Sequence, residues 1–198
     1  QHDAAHTMSV VYNTFNLIKL GLDTSNMEAL ICNNYSREVL AICMYHDLFD
    51  HKFENKFENI KERITETLTS IGFTEDQIET VIEVSINICF TKQKENKLIE
   101  YSKIPKIRKT IKSWVSAGDL IEAIGINGII RAFNCVELLS TTVYKDEKIE
   151  TGDYKHYLRL VIEHMEDKLL IVRDKYIEPS IAKEVTEQLQ LEMEVFYS

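Results

Sequence analysis

Hydrophobic positions recur along this chain at helical spacing, and no stretch alternates apolar and polar residues as a half-buried strand would. Two prolines and six glycines leave long runs without a breaker. The pattern predicts a first helix over about His2 to Leu20, stopped before Gly21, with His6, Val10 and Leu17 on one face. A second starts with Ser36 as N-cap and carries the stripe Val39, Ile42 and Cys43, which His46 and Asp47 continue. A third covers about Asn59 to Ser70 and stops at Gly72. Thr74 followed by Gln77 reads as a capping box that opens a fourth, reaching about Cys89. A basic stretch from Lys97 to Lys112 comes next, interrupted by Pro105. A fifth helix is expected over about Gly118 to Leu139, with Asp119 in its first turn ahead of the stripe Ala123, Ile126, Ile130 and Phe133. Two long segments, about Tyr154 to Tyr176 and Ser180 to Phe196, complete the chain. With no repeat and no low-complexity linker, the expectation is an all-α, single-domain helical bundle.

Four polar residues fall on faces that this pattern buries: His6, His46, Asp47 and Asp119. A buried carboxylate without a partner is costly, so such groups must be paired or must coordinate a cation. Each residue taken singly also reads as a satisfied core residue. Together, two imidazoles and two carboxylates form a nitrogen and oxygen ligand set. It suits a divalent ion such as Mn, Fe, Ni, Co or Mg better than the thiolate-rich ligation of structural zinc.

Composition narrows the possible partners. The 198 residues are 44% hydrophobic, enough for a sizeable core, and 23 Lys and Arg stand against 32 Asp and Glu, a net charge of −9. So negative a chain is a poor match for polymeric nucleic acid or an anionic membrane. The longest apolar run, Val39 to Tyr45, is too short to cross a bilayer. Cys32, Cys43, Cys89 and Cys135 form no C-x-x-C pair and read as buried reduced thiols, which points to a cytoplasmic setting. In the 97–112 stretch, Lys97, Lys103, Lys106, Arg108, Lys109 and Lys112 face only Glu100. Its plainest reading is a solvated helix face; a docking face for an acidic partner, or a lure for anionic substrate, are the alternatives.

In chain order the polar residues sit in His2-Asp3-Ala-Ala-His6, in Met44-Tyr-His46-Asp47-Leu-Phe-Asp50-His51-Lys52-Phe53, and in Ala117-Gly-Asp119-Leu-Ile-Glu122-Ala-Ile-Gly125-Ile-Asn-Gly-Ile-Ile-Arg131-Ala-Phe133. This resembles the HD-domain metal-dependent phosphohydrolases, whose ligand order is H…HD…D. Within them it is most similar to the bacterial subgroup with HDxxH, HDxxDxK and DADRLDAIG segments. His164-Met-Glu-Asp-Lys-Leu-Leu also resembles that subgroup's HFxEKLL, so the similarity extends over nearly the whole chain.

The resemblance implies one HD domain over 1–198, with a metal core over about 2–139 and C-terminal helices over about 154–197. It implies one divalent ion held by His6, His46, Asp47 and Asp119. Four protein ligands on an octahedral ion leave room for a water and a substrate phosphate oxygen. Asp50, three residues after Asp47, is the expected general base or water-positioning group. Lys52 and Arg131 are candidates for holding phosphate oxygens; a surface ion pair and a structural salt bridge are their plainer readings. The implied substrate is a (deoxy)nucleoside triphosphate, cut to monophosphate and pyrophosphate. A 5′-nucleotidase releasing phosphate uses the same ligands. Two-metal relatives need further histidines between the HD pair and the last Asp. Only His51 lies there, so one ion is expected. A homodimer is left open.

The chain departs from the subgroup where HxxRV becomes His6-Thr-Met-Ser9-Val10, and where DADRLD becomes Ala117-Gly118-Asp119-Leu120-Ile121-Glu122. An arginine near the site is lost, yet the ligand Asp survives. These losses bear on substrate recognition and keep open a degenerate module that binds metal or a partner without turnover. His2 and His6 also share the spacing of an HExxH zinc peptidase, but with Asp3 in place of Glu and no third ligand at a familiar spacing.

Overall fold

The computed structural model describes residues 4–49, 59–88, 104–142 and 154–198. The chain divides into two compact units, Gln1–Asp119 and Leu120–Ser198. All regular structure among the described residues is helical, as the periodicity predicts.

The first unit holds α1 (Ala4–Asp23), α2 (Met27–Asn34), α3 (Ser36–Tyr45) with a 3₁₀ turn at His46–Phe49, α4 (Ile60–Ser70), α5 (Glu75–Ile86), and α6 (Lys106–Ile121) up to Asp119. α1 buries His6, Val10, Thr14, Leu17, Ile18 and Gly21, so its inner stripe is the expected one prolonged by a turn. Gly21 does not stop the helix. A Cβ on it would lie 2.5 Å from Ala29 Cβ and 2.8 Å from Trp114 Cη2. This glycine is therefore a point of close packing inside a helix, where its missing side chain admits an indole.

α2 was not expected, because its two turns are too short for a clear period. It begins where the Asn26 side chain accepts from the backbone N–H of Glu28 and Ala29, at 2.8 and 3.1 Å. Ser36 is the first residue of α3 and not its cap. Tyr35 holds that position, with no side-chain hydrogen bond. α4 ends at Ser70, ahead of Gly72 with a φ of +82°. The capping box is formed: Thr74 Oγ1 accepts from the Gln77 backbone, and Gln77 Oε1 accepts from the Thr74 backbone at 2.9 Å. Gln77 Nε2 then donates to Glu38 Oε1 at 2.7 Å, tying α5 to the start of α3.

α6 overturns two expectations. Asp119 stands in the last turn of this helix, not in the first turn of the next. The chain turns at 122–124 and restarts as α7 (Gly125–Thr142), which resets the helical phase. Ile126 and Ile130, expected to be buried, are accordingly exposed. The basic stretch is a solvated face only in part where it is described: Lys106 is exposed and Lys109 half-buried. Arg108 and Lys112 are buried. Arg108 donates to Asp76, Glu79 and Glu83 at 3.1, 3.1 and 2.7 Å, clamping α6 to a row of acids on α5. Burial alone would lower the guanidinium pKa, but Glu83 and Glu79 outweigh it and raise it. Residues 97–103 lie outside the described part.

The second unit contains α7, α8 (Tyr154–His164), a π turn at Met165–Leu169, α9 (Leu170–Tyr176), α10 (Ser180–Val185) and α11 (Glu187–Tyr197). α7 packs against α8 and α11. Ile129, Ala132, Val161, Met165, Leu169, Val172, Ala182 and Met193 are buried here. The expected segment from Tyr154 to Tyr176 is thus unbroken but carries one wide turn. The last segment is divided at Thr186, whose hydroxyl donates to the Ala182 carbonyl at 2.7 Å. Gln190 Nε2 reaches the Leu170 carbonyl just past the π turn, at 3.1 Å.

Candidate metal centre

Three helices of the first unit converge on the expected ligands. His6 lies near the start of α1 on its buried stripe, so the helical period alone turns the imidazole inward. His46 follows α3 and opens the 3₁₀ turn, where the tighter winding sets Asp47 about 120° around from it. Asp119 comes from the last turn of α6.

His6 Nε2 lies 3.4 Å from Asp47 Oδ2 and 3.4 Å from Asp119 Oδ1. His46 Nε2 lies 3.3 Å from Asp47 Oδ1 and 3.9 Å from Asp119 Oδ1. The two rings are 5.6 Å apart, centre to centre, tilted by 58°. His6, His46 and Asp119 each offer a ligand atom within 4.8 Å of the others. Both imidazoles are buried, and both carboxylates are partly open to solvent.

Hydrogen bonding fixes the state of His46. Its Nδ1 lies 2.8 Å from the Cys43 carbonyl oxygen, an acceptor only, so Nδ1 carries the proton and donates. In the neutral ring Nε2 then presents a lone pair. That atom is buried and has no hydrogen-bond partner. A lone pair without a hydrogen-bond partner, beside two carboxylates and a second imidazole, fits a cation. The helix dipole adds to the demand: Asp119 sits near the negative C-terminal end of α6, where a carboxylate is disfavoured unless positive charge is near. These residues could hold a divalent ion through nitrogen and oxygen.

Behind the ligands lies a small polar cluster that the sequence reading missed. Cys43 Sγ donates to Thr14 Oγ1 at 3.6 Å. Burial pushes the Cys43 thiol up to about 12, the charge of Asp119 adds to the rise, and the Thr14 contact opposes it. Asn13 Nδ2 donates to the Gly118 carbonyl at 3.2 Å. Thr14 shares the spacing of His6 and Val10, which could have flagged it; Gly118 stood out only as a departure from DADRLD.

Other sequence candidates fall elsewhere. Asp50, His51 and Lys52 lie outside the described residues, as do His2 and Asp3. Arg131 is in the second unit, where Nη1 pairs with Glu122 Oε2 at 3.4 Å. Among the described residues no helix is long and apolar enough to cross a membrane.

No protein-family model and no curated protein matches the chain. Solved structures do. Bacillus subtilis YpgQ in complex with ADP matches with a TM-score of 0.62 and 20% identity, over 98% of this chain and 82% of that one. A selenomethionine structure of YpgQ gives 0.66 and 19%, covering 97% and 84%. The Lin1889 protein from Listeria innocua gives 0.62 and 16%, covering 99% and 84%. At these identities the likeness establishes a shared all-helical fold that runs nearly the length of the chain.

Proposed function

We propose that this chain is an HD-type, cation-dependent phosphohydrolase acting on nucleotides, with His6, His46, Asp47 and Asp119 holding a single divalent ion. One observation carries the reading: the buried, unpartnered Nε2 of His46, aimed at the other three side chains. The H…HD…D order of the sequence supports it, and so does a ligand of the matching structure, since YpgQ was crystallised with ADP.

When bound, the ion supplies an acidified water and neutralises charge on the phosphate oxygens. The chain's own groups do the rest. His6 and His46 would offer ring nitrogens to the ion, His46 through Nε2, because the Cys43 carbonyl holds a proton on Nδ1. Asp47 and Asp119 balance the charge of the ion. Asp50 is assigned the base or water-positioning role, and Lys52 the holding of phosphate oxygens, both from their place three and five residues after Asp47. Arg131 is the remaining phosphate candidate, provided substrate draws it from Glu122. The bond proposed to break is the α–β anhydride of a (deoxy)nucleoside triphosphate, giving monophosphate and pyrophosphate.

The test is a screen of nucleotides with Mn or Mg, measuring both phosphate and pyrophosphate. Pyrophosphate release that chelator and Asp47→Ala both abolish is the expected result. Phosphate release from monophosphates would replace the proposed bond with that of a 5′-nucleotidase. Binding of the ion without turnover of any nucleotide would identify a degenerate module and overturn the enzymatic reading.

A further inference from the structure

The geometry points to Thr14 and Gly118, with Asn13, as the positioning residues that set the spacing of the cation site. This inference rests on the metal reading above and concerns how the chain builds that site. Thr14 is wholly buried and lies eight residues after His6 on α1, two turns along the same face. It touches both other ligand-bearing elements.

Toward α3, its hydroxyl accepts from Cys43, and the Cys43 carbonyl in turn accepts from His46 Nδ1. The chain of contacts Thr14–Cys43–His46 therefore ends at the atom that fixes the imidazole tautomer. Toward α6, the contact is with backbone. A Cβ on Gly118 would land on Thr14 Oγ1, and would lie 3.0 Å from Thr14 N and 3.1 Å from its Cα. No side chain fits between the helices at this point. Asn13 then binds the Gly118 carbonyl. That carbonyl belongs to the peptide unit whose nitrogen is that of Asp119, so the bond orients the plane from which the ligand side chain departs.

Two distances follow from this arrangement: Asp119 to His6, which depends on how closely α6 approaches α1, and Asp119 to His46, which depends on both. Both are under 4 Å. An approach widened to admit one methyl group would lengthen them by well over the tolerance of about 0.2 Å on a metal–ligand distance. Where the subgroup pattern has alanine immediately before the ligand Asp, this chain has Gly118, smaller by one methyl group. The close approach is a property of this chain's own residues.

The experiment measures Mn²⁺ affinity by calorimetry and the visible spectrum of the Co²⁺-loaded protein, for the full chain and three variants. Gly118→Ala is expected to weaken Mn²⁺ binding at least tenfold and to shift the Co²⁺ bands, at unchanged apo helicity. The Gly118→Ala/Thr14→Ala double variant removes the worst overlap, leaving backbone contacts that a few tenths of an ångström relieve, and is expected to recover most of the affinity. Asn13→Ala perturbs only the peptide plane and is expected to cost a few-fold; it carries the test if Gly118→Ala fails to fold. Wild-type affinity and an unaltered Co²⁺ spectrum in Gly118→Ala, or in Asn13→Ala if that variant alone folds, would overturn the inference while leaving the metal reading intact. Absence of Mn²⁺ binding by the wild type would overturn both.

Discussion

His46 donates its Nδ1 proton to the carbonyl oxygen of Cys43 at 2.8 Å, and this one bond makes the imidazole a ready ligand. A ring held that way already points Nε2 at the site and need not turn to accept a cation. The His46→Ala variant is therefore expected to lose the stabilisation that Mn²⁺ gives the wild type. At an ion concentration a hundred times Kd that stabilisation is about 2.7 kcal/mol, or roughly 5–10 °C in Tm for a chain of this size. Thermal melts with and without Mn²⁺ check it. An equal rise in both proteins would place the ion elsewhere.

Gly21→Leu should separate packing from chemistry. The added side chain runs into Ala29 and Trp114, and overpacking of this kind costs about 1–3 kcal/mol. Denaturant titration followed by circular dichroism measures the loss. Cation affinity should change little in the folded variant, because the position lies four turns from His6 along α1.

Arg108→Met keeps an apolar stem against the helices and removes the charged head. Its three partners are mostly exposed, Asp76 at 81% and Glu79 at 68%, so solvent screens much of each pair. The expected cost is about 1–2 kcal/mol, chiefly from the better-covered bond to Glu83. The difference between wild type and variant should shrink as salt is raised, which urea unfolding in low and high NaCl would show.

Cys32 gives the fold an alkaline limit. Burial first, and then the charge of Glu28, push its thiol from 9.0 to about 12. The folded state keeps the proton while the unfolded chain releases it above pH 9, so unfolding is favoured as pH rises from 9 towards 12. This thiol alone should remove about 1.4 kcal/mol of stability per pH unit in that window. Cys32→Ala should lack that component, seen as a shallower fall in unfolding free energy between pH 9 and 11.

The sequence disclosed most where a local signal and a tertiary need coincide. The Thr74–Gln77 box formed because its hydrogen bonds close within one turn, whatever packs around it. The stripe His6, Val10 and Leu17 was readable because burial and helical period agree over the whole of α1. Glycine misled at Gly21, where a local breaker signal hid a long-range contact with an indole more than ninety residues away. Asp119 was placed in the right group but on the wrong helix. The apolar run through Leu120, Ile121, Ala123 and Ile124 hid the turn, and the stripe was carried across a break that resets its phase. Arg108 looked solvated because its three acids lie in another helix, and a window along the sequence cannot show charge supplied from α5. The cluster of Asn13, Thr14, Cys43 and Gly118 shares that property: its members mean little until three helices meet.

Trp114, buried against Gly21 and donating to Glu28 Oε2, is the chain's sole tryptophan. It precedes Asp119 by five residues on one continuous helix, about 7.5 Å along the axis. An aromatic antenna is thus bolted to the same rod as a candidate ligand. Terbium, a lanthanide with the oxygen preference of a hard cation, would sit close enough to glow when the indole is excited, turning occupancy of the centre into light without any substrate.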